Sequence, residues 1–468
     1  MSVVGELAEE PLSRISKLFL DRDHMPLVEA LNSRAKQIVI LNCGSDVARN
    51  AALQLALLTA ARLLVRCFPG GVRVVAPIEV LAANVLGWNG KVRSLGKVLA
   101  ESVVAANVLN EAPPDASGSL LLLGDCAGER EGLRITFDGW LARVGPSTQT
   151  PRLAERGQCG LAGVLAAALA VSEVFLEFAQ VNVEACRRRV EVSLWRPDLD
   201  ATHPEAFGPT AEYLPKDFWV FGLGHLGNAL LWALGSLQYS NPGDATAYLC
   251  DFDSVEPENY ETSVIFDSAS SGLKTRRCAA WLEARGFTVR MMERRLGDNF
   301  RRETFEPGLA FCGFDSNPAR RLLSKGGFAT VIEAGLGDNA DNFDTLSLHT
   351  LPNPRSATEL WPDLDAHALA AQQESLQRVT RTNPAYVTLG KDDCGRVLLA
   401  GKAVAVPFVG MVAGCFQVAE ALRIACAGPA YHQIKYRFGS AKAIVPKTLR
   451  TYTSRDLQGL SFCLARSS

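Results

Sequence analysis

The run from residue 218 to residue 263 limits most strongly what this chain can fold into. Phe218-Trp219-Val220-Phe221 reads as an apolar strand, Gly222-Leu223-Gly224-His225-Leu226-Gly227 as a glycine turn, and residues 225–238 as a helix. Residues 247–250 read as a second strand, closed by Asp251-Phe252-Asp253. A strand passes directly into a helix only where the backbone is permissive. Gly222 allows the tight turn, Gly224 lets the backbone approach a phosphate, and Gly227 lets helix and strand pack closely. The helix then aims its free N–H groups and positive dipole end at that phosphate. Glycine turns alone are a weak signal. Here the strand, the helix and the downstream carboxylate supply the required context. Asp251 stands where a carboxylate accepts from ribose hydroxyls.

The remainder of the chain repeats this rhythm. After residue 216, a helix is expected over about 273–285, with further strands at 289–292, 309–313 and 330–334. Before it, strands are expected at 37–41, 72–75 and 120–123, with helices over about 47–65 and 160–179. Alternation of this kind implies mostly parallel, doubly wound α/β sheets. The apolar helix GLAGVLAAALAVSEVFLEF is echoed by PFVGMVAGCFQVAEALRI from Pro407, both with spaced Gly and Ala and one Glu, which suggests an internal duplication. A stretch holding Pro197, Pro204, Pro209 and Pro215 reads as a linker over 196–216. The expected layout is therefore two Rossmann-like domains, 1–195 and 217–468. The first is degenerate: it keeps only Gly44 of the glycine turn, and Val75-Ala76-Pro77 replaces the acidic pair. It should bind nucleotide poorly and serve as a structural partner.

Composition excludes several classes. A length of 468 residues suits two or three domains. A net charge of −2 argues against a dominant nucleic-acid or polybasic membrane surface, so neither partner is expected. No charged-then-apolar leader opens the chain. The two long apolar helices carry Glu and many small residues, as buried core helices do. The twelve cysteines include no CxxC pair, a pattern that fits reduced thiols and a cytoplasmic location.

The order Gly222/Gly224/Gly227, Asp251-Phe252-Asp253-Ser254-Val255-Glu256-Pro257-Glu258-Asn259, Lys274 and Asp315 resembles the ThiF and ubiquitin-activating-enzyme superfamily over about 216–426. The segment from Cys394 to Gly410 is similar to the activating enzymes of bacterial Bil-type ubiquitin-like conjugation operons. The resemblance implies an ATP- and Mg²⁺-dependent adenylyltransferase. In such enzymes the C-terminal carboxylate of a ubiquitin-like protein attacks the α-phosphate of ATP, giving acyl-adenylate and diphosphate. It further implies a thioester, transfer to a conjugating (E2-like) enzyme, and a place in antiviral defence. Under it Lys274 meets the phosphates, Asp315 holds Mg²⁺, Asp251 and Asp253 hold the nucleotide, and Asn259 fixes a phosphate or the attacking carboxylate. The family's usual arginine three residues after the asparagine is Thr262 here, a hydroxyl without charge. The family often supplies an arginine from the partner domain's N-terminal helix, for which Arg14 and Arg22 are both candidates.

An acyl-accepting cysteine must be accessible and outside the core. Cys250, Cys278, Cys312 and Cys415 fall in apolar elements. Cys394 follows Gly390-Lys391-Asp392-Asp393 in what reads as a polar turn before a returning strand, within a long excursion over about 340–406. Asp392 and Asp393 would raise its pKa, partly opposed by Lys391 and Arg396. Two other readings compete. A nicotinamide-dependent oxidoreductase explains the glycines and Asp251 but leaves Asn259, Lys274 and Asp315 unused. A non-catalytic scaffold is consistent with Thr262.

Overall fold

A computed structural model describes residues 13–86, 92–103, 107–111, 118–126, 131–156, 160–363, 366–389, 393–440, 442–444 and 457–466. The first seven strands are β1 (Val39–Cys43), β2 (Val72–Val75), β3 (Val108–Leu109), β4 (Ser119–Leu123), β5 (Leu133–Asp138), β6 (Leu141–Pro146) and β7 (Val190–Ser193). They form one sheet in the order β3-β2-β1-β4-β5-β6-β7. After β8 (Tyr213–Pro215) come β9 (Asp217–Phe221), β10 (Thr246–Cys250), β11 (Thr288–Met292), β12 (Leu309–Cys312), β13 (Thr330–Leu336), β14 (Thr345–Leu351), β15 (Gln433–Arg437) and β16 (Lys442–Ile444). Their order is β11-β10-β9-β12-β13-β14-β15-β16. The first seven strands of each sheet therefore follow one topology, as a duplication requires. In each sheet five strands are parallel and the next two antiparallel.

The central parallel strands such as β9 and β12 are covered on both faces, which is why they read as continuous apolar runs. Phe218, Trp219, Val220 and Phe221 are all buried, as are Leu121, Leu122 and Leu123. The antiparallel strands were not among the expected elements. Thr345–Leu351 lies in the sheet, between β13 and β15. The excursion thus leaves the sheet only after Leu351, later than the expected 340.

Strand order reverses between β1 and β4 in one sheet and between β9 and β12 in the other. Such switch points open crevices at the carboxyl ends of the strands. The helix Ala51–Cys67 follows β1 and is capped by Asn50, whose side chain accepts from Ala52 N and Leu53 N. The helix His225–Gly235 follows β9 in the same way. Leu161–Phe178 and Pro407–Ala425 are long and apolar enough to cross a membrane, yet 89% and 94% of their apolar windows are buried within the protein. They pack on each other and on the helices after β1 and β9. Gly414 permits the close approach in the second half, since a Cβ there would lie 2.8 Å from Ala229 C.

One hydrophobic cluster runs through both halves, from Ile15 to Phe438. The 196–216 stretch is built in: Ala206 and Leu214 are buried, and β8 pairs with β17 (Phe462–Leu464). The excursion contains the helices Ala357–Leu360, Ala366–Thr382, Pro384–Val387 and Asp393–Gly401. Its Tyr386 and Leu399 pack with Leu20 and Leu27 of the N-terminal segment. Tyr386 donates to Asp21 (2.6 Å), and Asn383 donates to Leu20 O (2.9 Å).

Candidate active site

A cleft of about 980 Å³ opens at the switch point beyond β9 and β12. Its walls include Gly222, Gly224, Asp251, Asp253, Asn259, Thr262, Lys274 and Asp315, residues that the sequence spreads over almost a hundred positions. Gly227 stands behind the wall.

The glycine turn is built as its chemistry demands. Gly222 has φ +80°, a conformation that side chains disfavour. A Cβ at Gly227 would fall 1.9 Å from Gly222 O, so only glycine lets the helix sit this close. A Cβ at Gly224 would meet nothing within 4 Å, because that backbone faces open cleft. Asp251 is buried, with Oδ2 accepting from Leu223 N (2.6 Å) and Oδ1 from Asp253 N (2.8 Å). It therefore braces the glycine turn from beneath. The half-exposed carboxylate on the cleft side is that of Asp253, whose Oδ2 lies 3.1 Å from Lys274 Nζ. Lys274 begins the helix Lys274–Glu283, and its own N–H donates to Asp253 O (2.9 Å). Asn259 opens the short helix Asn259–Thr262, and its Oδ1 accepts from Glu256 N (2.9 Å). Thr262 is buried at the end of that helix.

Asp315 is exposed in the cleft, with no ion pair among the described residues. Its loop is held by Arg320, whose Nε donates to Phe314 O (2.9 Å) and lies 3.0 Å from the buried Glu333. Of the two candidate N-terminal arginines, Arg14 lines the cleft and Arg22 does not. Arg22 is bound to Asp23 and Ala179 O. Arg14 Nε donates to Ala403 O (2.8 Å), and burial lowers its pKa against the raising influence of Glu258 and Asp315. His225, first in its helix, is half-buried and lines the cleft. Burial, and then the nearby Arg14 charge, bring its pKa down to about 3, so the ring is neutral.

Several residues of this constellation were not foreseen. Asn228 is buried and ties the glycine turn to the segment beyond Thr262, donating to Leu223 O (2.8 Å) and accepting from Ile265 N (3.1 Å). A polar residue in an otherwise apolar helix was its signal. Glu261 had none, because its partners Ser13 and Arg34 are distant in sequence. Exposed Arg294 and Arg295 add cations to the cleft wall, and the Arg295 guanidinium lies 4.5 Å from the Phe252 ring centre.

Cys394 is the second residue of the helix Asp393–Gly401, not part of a turn that leads into a strand. Leu399, buried against Tyr386 and Leu20, gives that segment its reason to be helical. The Cys394 side chain itself lies outside the described residues, as do 390–392. The described cysteines of the parallel sheets and core helices, Cys250, Cys278, Cys312 and Cys415, are buried. Burial raises the thiol pKa of Cys250 to about 12, and pushes those of Cys278 and Cys312 higher still.

Two family models match the chain. A model of the BilD N-terminal domain matches residues 38–194, and a model of the BilD C-terminal domain matches residues 214–428. The bacterial E1-like protein BilD of Collimonas sp. (strain OK412) is 34% identical over 428 residues, covering 90% of each chain. The crystal structure of E. coli MccB aligns over 68% of this chain and 93% of its own, with 13% identity. Its TM-score of 0.35 is too low to argue from.

Proposed function

The chain belongs to the BilD family of bacterial E1-like proteins, and on that premise we propose that it activates a ubiquitin-like protein by ThiF-type adenylation in the cleft beyond β9 and β12. The observation that carries this reading is the convergence there of an open glycine turn, Lys274, Asp315 and Arg14. A dinucleotide oxidoreductase needs the glycines and a ribose carboxylate, but not the rest.

The chemistry follows from the residue types. The C-terminal carboxylate of the ubiquitin-like protein attacks the α-phosphate of ATP. A P–O bond forms as the bond to the β-phosphate breaks, and diphosphate leaves. Negative charge grows on the phosphoryl oxygens, so fixed cations lower the barrier. Gly224 gives its backbone to the phosphates. Lys274, held by Asp253, and Arg14, held by Ala403 O, supply charge. Asp253, half-exposed on the cleft side beside Lys274, is the carboxylate placed to meet the ribose, with Asp251 bracing the turn. Asn259 has its Oδ1 committed to Glu256 N, leaving its amide donor for a phosphate or the incoming carboxylate. Asp315 suits Mg²⁺: it is an exposed oxygen donor, and no group of three or more His, Cys, Asp or Glu able to hold a metal occurs among the described residues. A single carboxylate fits an ion that keeps several waters and is otherwise held by substrate phosphates. Bound there, the ion neutralises charge on the phosphates. Thr262 lacks the charge of the family's arginine, and Arg14 makes up part of that deficit.

The first half is read as the inactive partner. At its own switch point a Cβ on Gly44 would fall 2.2 Å from Asp125 O, and Asp46 accepts from Asp125 N (2.9 Å). Arg152 then pairs with Asp46 and Glu155, so the crevice is occupied by ion pairs where the second half has open space.

The acyl group passes to Cys394, whose thiolate attacks the adenylate carbonyl and expels AMP, and then to a conjugating enzyme. Cys394 is favoured because Cys250, Cys278, Cys312 and Cys415 are buried, and burial raises the thiol pKa of the first three. With Mg-ATP and its ubiquitin-like protein, the wild type should form a thioester that thiol reagents cleave. Cys394→Ala should lose the thioester on non-reducing gels while retaining ATP–diphosphate exchange. A thioester surviving in Cys394→Ala would assign the step to another cysteine.

A further inference from the structure

One buried ion pair joins the two halves directly at the cleft. Arg34, on the helix Leu27–Lys36, has a side chain with no exposure. Its Nε donates to Cys67 O (2.9 Å) and its Nη2 to Arg66 O. Its Nη1 lies 2.8 Å from Ser13 Oγ, 2.8 Å from Ser16 Oγ and 2.9 Å from Glu261 Oε1. Glu261 belongs to the second half and sits between Asn259 and Thr262 in a single turn of helix. Its carboxylate accepts from Ser13 Oγ (2.9 and 2.8 Å to the two oxygens) and from Ile15 N (3.5 Å). Residues 13 and 15 flank Arg14. On its other side Arg14 is held by Ala403 O (2.8 Å) and by Ala405 N donating to Arg14 O (3.4 Å).

We propose that Glu261 and Arg34 are positioning residues that present Arg14 to the cleft, so that chemistry on the second sheet depends on a clamp anchored in the first. The inference rests on the adenylation reading above. Stability alone is a poor reason for the pair, since a buried ion pair loses in desolvation about what it gains, and apolar replacements are often neutral or better. What the pair does achieve is registry. One carboxylate holds the Ser13 hydroxyl and the Ile15 N–H on either side of Arg14 and lies on the same turn as Asn259. Arg34 anchors that carboxylate to the end of the helix Ala51–Cys67. Arg14 and Asn259 thereby share one frame although they come from different halves.

A double-mutant cycle in the full-length protein tests this, using carrier-dependent ATP–diphosphate exchange with kcat and the KM for ATP resolved. Removing one preorganised charge from the transition state costs about 100-fold in kcat, the loss expected for Arg14→Ala. Glu261→Ala should lose at least about tenfold, chiefly in kcat, and should change the Arg14→Ala enzyme less than about twofold, as a residue acting through another must. Arg34→Met should behave like Glu261→Ala. Should Glu261→Ala not fold, Glu261→Gln enters the same cycle, keeping an acceptor for Ser13 while removing the charge that faces Arg34. Equal factors in both backgrounds, or full activity of Glu261→Ala, would overturn the positioning role while leaving adenylation intact. A wild type that performs no exchange overturns the adenylation reading and this inference together.

Discussion

At the scale of single residues, the glycine turn separates two demands that look alike in sequence. Gly227 is required by the fold, because a Cβ there would meet Gly222 O at 1.9 Å. Gly224 is not required by the fold, because nothing of the protein lies within 4 Å of a Cβ there, and on the proposed reading the nucleotide is what requires it. Gly227→Ala should therefore cost about 1–3 kcal/mol, read as a lower midpoint in urea. Gly224→Ala should hold the wild-type stability within about 0.5 kcal/mol. Its loss should appear in calorimetry as Mg-ATP affinity weakened by roughly 1.4 kcal/mol or more, tenfold in Kd. Unchanged nucleotide binding in Gly224→Ala would remove the turn from the site. Gly222, Asp251, Lys274 and Asp315 were legible because each follows a strand or opens a helix at a fixed spacing. The finer division between Asp251 and Asp253 was not, since it depends on which carboxylate the Leu223 N–H reaches. Arg14 could be named only as one of two, because its partner Ala403 lies 389 residues away.

At the scale of elements, the parallel β3 and β5 went unforeseen, but the central parallel strands such as β9 and β12 were legible because burial on both faces writes continuous apolar runs. The antiparallel strands were not. Gln433–Arg437 alternates buried Ile434 and Tyr436 with exposed Lys435 and Arg437, too short a pattern to stand out from a loop. The segment from Asp393 is helical because Leu399 docks on the N-terminal segment, a contact no local pattern announces. One contact between elements has a pH signature. His225 begins the helix His225–Gly235 and packs on Gly410, where a Cβ would lie 2.4 Å from its Nε2. Its ring also meets the backbone of Val406 and Pro407, at the start of the helix Pro407–Ala425. Its pKa falls from the ordinary 6.5 to about 3, so between those values the unfolded chain binds the extra proton. Its contribution is thus fully present above pH 6.5 and is lost as pH falls toward 3. The slope reaches roughly 1.4 kcal/mol per pH unit. Unfolding free energies at pH 7, 6 and 5 should diverge between wild type and His225→Asn, with the wild type falling more steeply. Parallel pH dependences would show that the ring accepts a proton in the folded protein.

At the scale of the whole molecule, the duplicated topology was legible from two similar apolar helices, and the family comparisons divide the chain at the same place. What sequence could not convey is how thoroughly the halves are joined. Arg66 is buried in the first half and donates to Ser263 O (3.0 Å) and Phe266 O (2.8 Å) of the second. Trp232 donates to Thr59 (2.9 Å) across the same boundary, and Arg188 reaches Phe438 O (2.8 Å). The first half thus supports the cleft of the second and contributes Arg14 to it. We propose that this shared cleft adenylates a ubiquitin-like protein, with Asp315 holding Mg²⁺. ATP–diphosphate exchange with a ubiquitin-like protein supplied as the carrier tests it most directly. Wild type should exchange only with that protein and Mg²⁺ present, and Asp315→Ala should lose at least about 100-fold. No exchange by the wild type, or exchange undiminished in Asp315→Ala, would contradict it.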